Sequence, residues 1–416
     1  MNILIVNYHY PPTVGAHAYR WAQLAQLWAK QGHSVTVLTS VVKGASTREN
    51  RDGVNIIRIG NIARSAGQGA QGNTKAQGNL ISLSKKFLIS TMRTSYRFLY
   101  WPDGLWYWLP AALLGLYRLR RNKYDLVVSY SPTFTAHLAT LIYRKLFPRQ
   151  CANWVADYGD PFSVSDTMPP NNLKLYRKLN YAAERSVVTN ADCSVFTTNQ
   201  TLSAYKEKFG IFNAVVLPHL VDISTFYAGP PLLESSDTAG IISLVYVGGF
   251  HKGIREPGAM LSFFEQLVKC YPNCFALNIY GPSNGCDFST CKPPIYYHGA
   301  VSRATAIELI KKADCLVNID NSNCVMVPSK LVEYIATGRP IVNFNGDAGV
   351  IDIMAKYGKT DMVVEIGSVV SDDDIHRVAS FILNKGAKIA SWDEVSRVLI
   401  EHDISSVGES YIRLGS

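Results

Sequence analysis

Short apolar runs, each followed by a stretch of helical periodicity, constrain this chain more than any other feature. The first run is Ile3-Leu4-Ile5-Val6. It has no polar alternation, as expected of a strand covered on both faces. A turn follows at Tyr10-Pro11-Pro12-Thr13-Val14-Gly15, and residues 16–31 then place Trp21, Leu24, Ala25 and Trp28 on one helical face. Gly32 ends that helix and the next run is 35–38. The same beat returns at 56–59, 126–130, 153–156, 193–196 and 214–217, with helical segments between most of them. Strands buried on both faces and joined by helices make an α/β fold with a doubly wound parallel sheet.

The pattern then starts again. Residues 221–240 contain Gly229-Pro230-Pro231 and Ser235-Ser236-Asp237, the composition of a linker. Strands follow at 242–247, 275–280, 296–298, 315–319, 341–344 and 362–365, with helices at 258–270, at 303–312, from Lys330 and near 350–357. Two helical stretches are expected after Asp372. A length of 416 residues exceeds one ordinary core. The expected division is a Rossmann-like domain over 1–220, a linker over 221–240, a second Rossmann-like domain over 241–390, and helices over 391–416 that return to the first domain. Two such domains are expected to face a central cleft lined by the carboxyl ends of their strands.

A formal charge of +9 favours an anionic partner, such as phosphates, nucleic acid or an anionic membrane. The basic residues form no recognised nucleic-acid module, so nucleic acid is the least favoured of these. Met1–Val6 begins a strand at once and has no basic leader, so the eight cysteines are expected to be free thiols in a reducing cytoplasm. Cys270, Cys274, Cys286 and Cys291 lack the tight paired spacing of zinc knuckles, and no metal is expected there.

The densest chemistry lies at 328–342. Pro328 suits a first helical turn, and Lys330 and Glu333 share a face three residues apart. Gly338 stands where a C-cap belongs. A helix N-terminus presents N–H groups to an anion, lysine adds a point charge, and a carboxylate one turn on can accept from two hydroxyls. Together they form a seat for a nucleotide diphosphate. As a bare pair, Lys330 and Glu333 also fit a solvated helix face.

Six segments resemble the retaining glycosyltransferases of family 4, which have the GT-B fold, in their expected order. They are Pro11–Arg20 with Gly32–Thr39, then Ala156–Pro161, Tyr246–Pro257, Ile279–Pro282, His298–Val301 and the Lys330 helix. The resemblance implies transfer of a sugar from a nucleotide-diphosphate donor with retention at the anomeric carbon. It implies no cofactor and no metal: basic side chains and a helix dipole meet the diphosphate charge. The second domain would hold the donor and the first the acceptor. Lys330 would face the diphosphate and Glu333 the ribose. Many members place an arginine just after the turn glycine and a lysine a few residues on; here Gly249 stands in the first place, and Arg255 is the candidate for the second and so for the other diphosphate cation, with Lys252 the alternative. Gly299 and Val301 resemble the segment whose backbone meets the nucleobase. Where many members carry an acid eight residues before Glu333, this chain has Val325, and sugar contacts then fall to the backbone of Met326, Val327 and Pro328. Gly15 would let backbone N–H groups approach the donor phosphates, and Arg20 would reach an anionic group or stand on the surface. Asp157, expected beside Asp160 just past the strand end, would take up the acceptor proton or bind a sugar or loop. In this family the leaving phosphate is the usual proposed base.

From Lys85 to Lys123 the chain interleaves Lys85, Lys86, Arg93, Arg97, Arg118, Arg120, Arg121 and Lys123 with Phe98, Tyr100, Trp101, Trp106, Tyr107 and Trp108. The apolar run 104–117 is too short to span a bilayer. Cations with aromatic anchors compose a helix lying in a membrane interface, although a core helix pair with solvated cations has the same composition. With the nucleotide-sugar donor that the resemblance implies, the interface reading gives as expected partners an anionic surface on the cytoplasmic face and a lipid-linked saccharide acceptor used in surface polysaccharide or glycolipid assembly. The alternatives are a transferase with a soluble acceptor and a non-catalytic, nucleotide-binding partner of an assembly complex.

Overall fold

The computed structural model describes residues 1–60, 99–164, 170–210, 212–229, 240–322, 329–345, 351–367, 371–386 and 388–416. The chain forms two compact units: residues 1–218 with 408–416, and residues 219–407.

The first unit holds an eight-stranded sheet in the order β3-β4-β2-β1-β5-β6-β7-β8. Its strands are β1 (Asn2–Val6), β2 (Ser34–Ser40), β3 (Arg48–Arg51), β4 (Val54–Ile59), β5 (Tyr124–Ser131), β6 (Cys151–Tyr158), β7 (Cys193–Phe196) and β8 (Ala214–Val216). All pairings are parallel except β3 with β4. Helices α1 (Ala16–Lys30), α2 (Leu109–Leu119), α3 (Phe134–Leu146), α4 (Leu173–Asn190) and α5 (Asn199–Phe209) belong to this unit. Helix α1 forms where the apolar stripe lay: Trp21, Leu24, Ala25 and Trp28 are all buried, and Gly32 turns the chain at φ 86°. Strand β3 had no signal in the sequence. Arg48-Glu49-Asn50-Arg51 is a polar edge strand whose one strand neighbour among the described residues is the antiparallel β4.

The second unit holds six parallel strands in the order β11-β10-β9-β12-β13-β14. They are β9 (Ile242–Val247), β10 (Phe275–Tyr280), β11 (Ile295–Gly299), β12 (Cys315–Ile319), β13 (Ile341–Phe344) and β14 (Val363–Ile366). This is the doubly wound order in which the chain reverses direction between β9 and β12, and ligands favour the carboxyl ends there. Helices α6 (Gly258–Cys270), α7 (Arg303–Lys312), α8 (Lys330–Ala336), α9 (Asp352–Gly358), α10 (Asp372–Lys385) and α11 (Trp392–Val398) follow in turn, then α12 (Ile404–Leu414), whose residues from 408 on belong to the first unit. Three helices close the chain after residue 371 rather than two. Ser371 with Asp374 and Ser391 with Glu394 each form a capping box, so the stretch is restarted by its own caps.

The chain returns to the first unit near its end. Trp28 Nε1 donates to the Gly408 carbonyl at 3.2 Å and Asn153 Nδ2 to the Gly415 carbonyl at 3.0 Å. Tyr411 sits edge-on to Trp21 and Trp28.

Candidate active site

In the second unit, the loops after β9, β10 and β11 are laced to one another by backbone. Gly248 N donates to the Tyr280 carbonyl at 2.9 Å, Gly281 N to the Gly299 carbonyl at 2.7 Å, and Phe250 N to the Pro282 carbonyl at 3.2 Å. Gly281 has φ 139°, and a Cβ there would lie 2.0 Å from the Gly248 carbonyl oxygen. Only glycine lets these two backbones approach so closely. Tyr334 of α8 completes the joint: its hydroxyl accepts from Val247 N at 2.7 Å and donates to the Val247 carbonyl at 3.0 Å.

That joint aims the basic side chains. Lys330, first residue of α8, extends its stem so that Nζ lies 3.7 Å from the Tyr246 ring centroid. The ammonium is buried and has no hydrogen-bond partner among the described residues, although part of the side chain remains exposed. Burial holds it well below its ordinary value, the Arg255 charge lowers it further, and Asp320 acts in the opposite direction. Arg255 stands on the turn after β9. It donates to the Gly249 carbonyl at 3.3 Å and to Asn321 Oδ1 at 2.5 Å, bridging the loops after β9 and β12. Asp320 is 3% exposed and accepts from Asn318 Nδ2 at 2.8 Å and Asn343 Nδ2 at 3.0 Å. Burial raises its carboxyl, with these hydrogen bonds lowering it. Gly249, Arg255 and Lys330 thus meet at the reversal point of the second sheet. Lys252, the alternative to Arg255, is exposed.

Glu333 lies one turn along α8 and turns toward α7. Arg303 holds it in a two-toothed pair, Nη1 to Oε2 at 2.8 Å and Nη2 to Oε1 at 2.6 Å. Each carboxylate oxygen keeps a further lone pair for a hydroxyl donor. Ser302 caps α7 by accepting from Thr305 N, which fixes where Arg303 emerges. Gly299 is tied to Gly281 at the end of β11, and Val301 precedes the cap, half-buried. Met326, Val327 and Pro328 lie outside the described residues, as does Val325.

The first unit carries a second cluster. Gly15 precedes α1 as its N-cap, with no side-chain cap, which leaves the first amides of a long helix open. Arg20 and Asp157 require correction. Asp157 is not beyond a strand end but inside β6, and it is wholly buried. Arg20 is 7% exposed and donates to the Pro218 carbonyl and to Tyr411 Oη, each at 3.0 Å. Tyr411 in turn donates to Asp157 Oδ2 at 2.5 Å, and Arg20 Nη2 lies 3.9 Å from the same oxygen. Burial pushes the Asp157 carboxyl up to about 6, against the Arg20 charge and the Tyr411 hydrogen bond. This enclosed triad holds α1, β6 and the returning chain end together. The groups this region leaves partly exposed are His17 and Asp160, 3.7 Å apart. His17 Nδ1 lies 2.6 Å from Tyr130 Oη, and Gly159 leaves room for that hydroxyl, since a Cβ there would lie 2.0 Å from it.

Sequence reasoning did not find His17, Asp320, Asn321 or Arg303. Nothing in their local pattern marks them; each acquires its place through a partner distant in sequence. Among the described residues no group of three His, Cys, Asp or Glu side chains is arranged to hold a metal ion. Cys274, Cys286 and Cys291 pack against the core of the second unit.

Two Rossmann-like units with these sheet orders define the GT-B class of glycosyltransferase, and solved structures of that class match along the whole chain. Sucrose-phosphate synthase of Thermosynechococcus elongatus is 14% identical with a TM-score of 0.64, covering 100% of this chain and 98% of that one. WaaG, a glycosyltransferase involved in lipopolysaccharide biosynthesis, is 13% identical with a TM-score of 0.56, covering 98% of each chain. The α,α-trehalose 6-phosphate synthase of Burkholderia multivorans is 14% identical with a TM-score of 0.58, covering 99% of this chain and 95% of that one. The chain belongs to Glycosyltransferase Family 4, whose sequence profile matches residues 17–225, half of its length. No curated protein sequence matches it.

Proposed function

We propose that this protein is a retaining, metal-independent glycosyltransferase of the hexosyltransferase class. It moves a sugar from a nucleotide-diphosphate donor to a lipid-linked saccharide, at the cytoplasmic face of a membrane, in surface polysaccharide or glycolipid assembly. The observation that carries the donor half is the Lys330 ammonium, buried beside Arg255 with no hydrogen-bond partner among the described residues. An unpaired buried cation is costly, and a bound diphosphate is the anion that relieves it. The three laced loops hold the cationic side chains in place before the ligand arrives, as electrostatic stabilisation of a leaving group requires.

In the proposed reaction the bond from the anomeric carbon to the diphosphate oxygen breaks. The acceptor oxygen bonds to that carbon on the same face, and its proton passes to the departing phosphate. Lys330 and Arg255 take up the charge that develops on the leaving group. Glu333, aligned by Arg303, accepts from ribose hydroxyls, and the backbone at Gly299–Val301 meets the base. Asp157, enclosed as it is, has a positioning role through Arg20 and Tyr411.

The acceptor half is supported by exposed Leu114 and Tyr117 of α2 beside exposed Arg118 and Arg121, by the involvement of WaaG in lipopolysaccharide biosynthesis, and by the net charge of +9. No described helix is long and apolar enough to cross a membrane. Lys85, Lys86, Arg93, Arg97 and Phe98 lie outside the described residues. The test is a thermal-shift panel of nucleoside diphosphates and their sugars, followed by donor turnover with and without chelator. One nucleoside diphosphate is expected to raise the melting temperature, and turnover should survive chelation. A panel with no shift, or chelator-sensitive turnover, would overturn the proposal.

A further inference from the structure

A cavity of about 270 Å³ opens in the first unit beside α2. Tyr8, Val41, Ile59, Trp108, Ala111 and Leu114 border it. Tyr8 follows β1, Val41 follows β2 and Ile59 ends β4, so the cavity lies at the carboxyl edge of the sheet, where open parallel sheets take ligands. Among the described residues, its side-chain polar atoms already have partners. Tyr8 Oη and Tyr107 Oη lie 3.0 Å apart, Ser40 Oγ donates to the Tyr8 carbonyl at 2.9 Å, and Trp108 Nε1 donates to the Ile59 carbonyl at 3.0 Å. A saccharide in this cavity would trade water for a lining whose hydrogen-bonding groups already have partners. A hydrocarbon loses nothing by entering.

The rim continues into a face of unusual composition. Trp106, Pro110, Leu114, Tyr117 and Arg121 recur on one side of α2 and the turn before it, and all five are exposed. Arg118 and Lys123 are exposed at the same end, and Arg120 rests 3.8 Å from the Tyr117 ring centroid. An apolar stripe that ends in cations complements a lipid with an anionic head and an apolar chain. It is not the surface for an apolar peptide, which has no use for the cations. Trp101 and Trp108, by contrast, turn inward: Trp101 Nε1 donates to Asn180 Oδ1 at 2.9 Å, and Trp108 is buried.

We propose that this cavity receives a hydrocarbon segment of the lipid acceptor while α2 lies against the anionic surface that carries it. The proposal rests on the lipid-acceptor function given above and adds the residues that recognise the chain. The test titrates the full protein with n-alkyl phosphates from butyl to decyl, below their micelle concentrations, and reads tryptophan fluorescence. Affinity should rise by about three- to fourfold per methylene until the cavity is full and then level off. Inorganic phosphate should give no response. Ala111→Trp, which fills the cavity, and Leu114→Asp, on the exposed rim, should each weaken decyl phosphate by about tenfold or more at unchanged melting temperature. Affinity that is flat with chain length, or unchanged in Leu114→Asp, would overturn the proposal. Dihexanoylphosphatidylglycerol competing as strongly as decyl phosphate would assign the cavity to bulk lipid and overturn the acceptor assignment. Nucleoside diphosphates are titrated in parallel. Alkyl phosphate binding without nucleotide binding leaves the cavity standing and defeats the transferase function; the reverse result defeats the cavity alone.

Discussion

Replacing Lys330 with methionine should move stability and ligand binding in opposite directions. The wild-type ammonium is buried above Tyr246 at 3.7 Å, is repelled by Arg255, and makes no hydrogen bond to a described residue. Methionine keeps an unbranched stem and a favourable sulfur contact with the ring. Apolar replacement of buried charge is commonly neutral or stabilising by about 1–4 kcal/mol, and the partial compensation by Asp320 places this site near the lower end. A charge-assisted hydrogen bond to phosphate is worth about 1.5–3 kcal/mol, so the variant should bind a nucleoside diphosphate about 10- to 150-fold more weakly. Thermal unfolding with and without UDP, GDP, ADP and TDP reads both effects. The variant should melt higher without ligand and shift little with it. The pH dependence has a definite sign. Lys330 in the folded chain lies below its ordinary value of 10.5, so between the two the unfolded chain binds the extra proton. Wild-type stability should therefore gain from this group as pH rises through that window, and the variant should lack the gain. Diphosphate binding favours the charged form, so wild-type nucleotide affinity should weaken as pH rises through that window while the variant's should not. A methionine variant that melts lower and binds as tightly as wild type would refute the reasoning.

Arg303→Ala should free Glu333 to rotate and reduce the preference for a nucleoside diphosphate over its 2′-deoxy form, measured by competition; an unchanged preference would remove Arg303 from ribose recognition. Asp157→Ala leaves Arg20 buried without its counter-charge and should cost about 3–5 kcal/mol in urea unfolding. Because burial raises Asp157 to about 6, folding favours its protonated form. This group's contribution should be full below its ordinary 3.8 and be lost as pH rises through about 6, a dependence the alanine variant should not show. Gly281→Ala drives a methyl group into the Gly248 carbonyl and should abolish nucleotide binding, with loss of the thermal shift as the readout.

Strand and helix identity was legible wherever a buried face left a period in the sequence. Ile3–Val6 and the Trp21–Trp28 stripe are examples, and both lie in the core. The edge strand Arg48–Arg51 was not legible, because a polar strand with one neighbour carries no apolar period. The α8 helix with Lys330 and Glu333 could be read from its proline, glycine and charge spacing. Its surroundings could not be read in the same way. The Arg303 partner of Glu333 is thirty residues away, and the Arg20–Asp157–Tyr411 triad spans most of the chain. Such pairings follow from topology. Asp157 was misplaced for a related reason: the strand continues past its apolar stretch, and polar residues at its end are stabilised by groups from elsewhere.

The return of residues 408–416 to the first unit makes its folding non-sequential. During synthesis, the first 218 residues can leave the ribosome while Asp157 and Arg20 still await Tyr411, and while Trp28 and Asn153 still await the carbonyls of Gly408 and Gly415. The nascent unit must therefore wait for the second unit to be translated before its interior is sealed. A shortened chain that stops before residue 408 would keep the Arg20–Asp157 pair but lack the Tyr411 hydroxyl that bridges it.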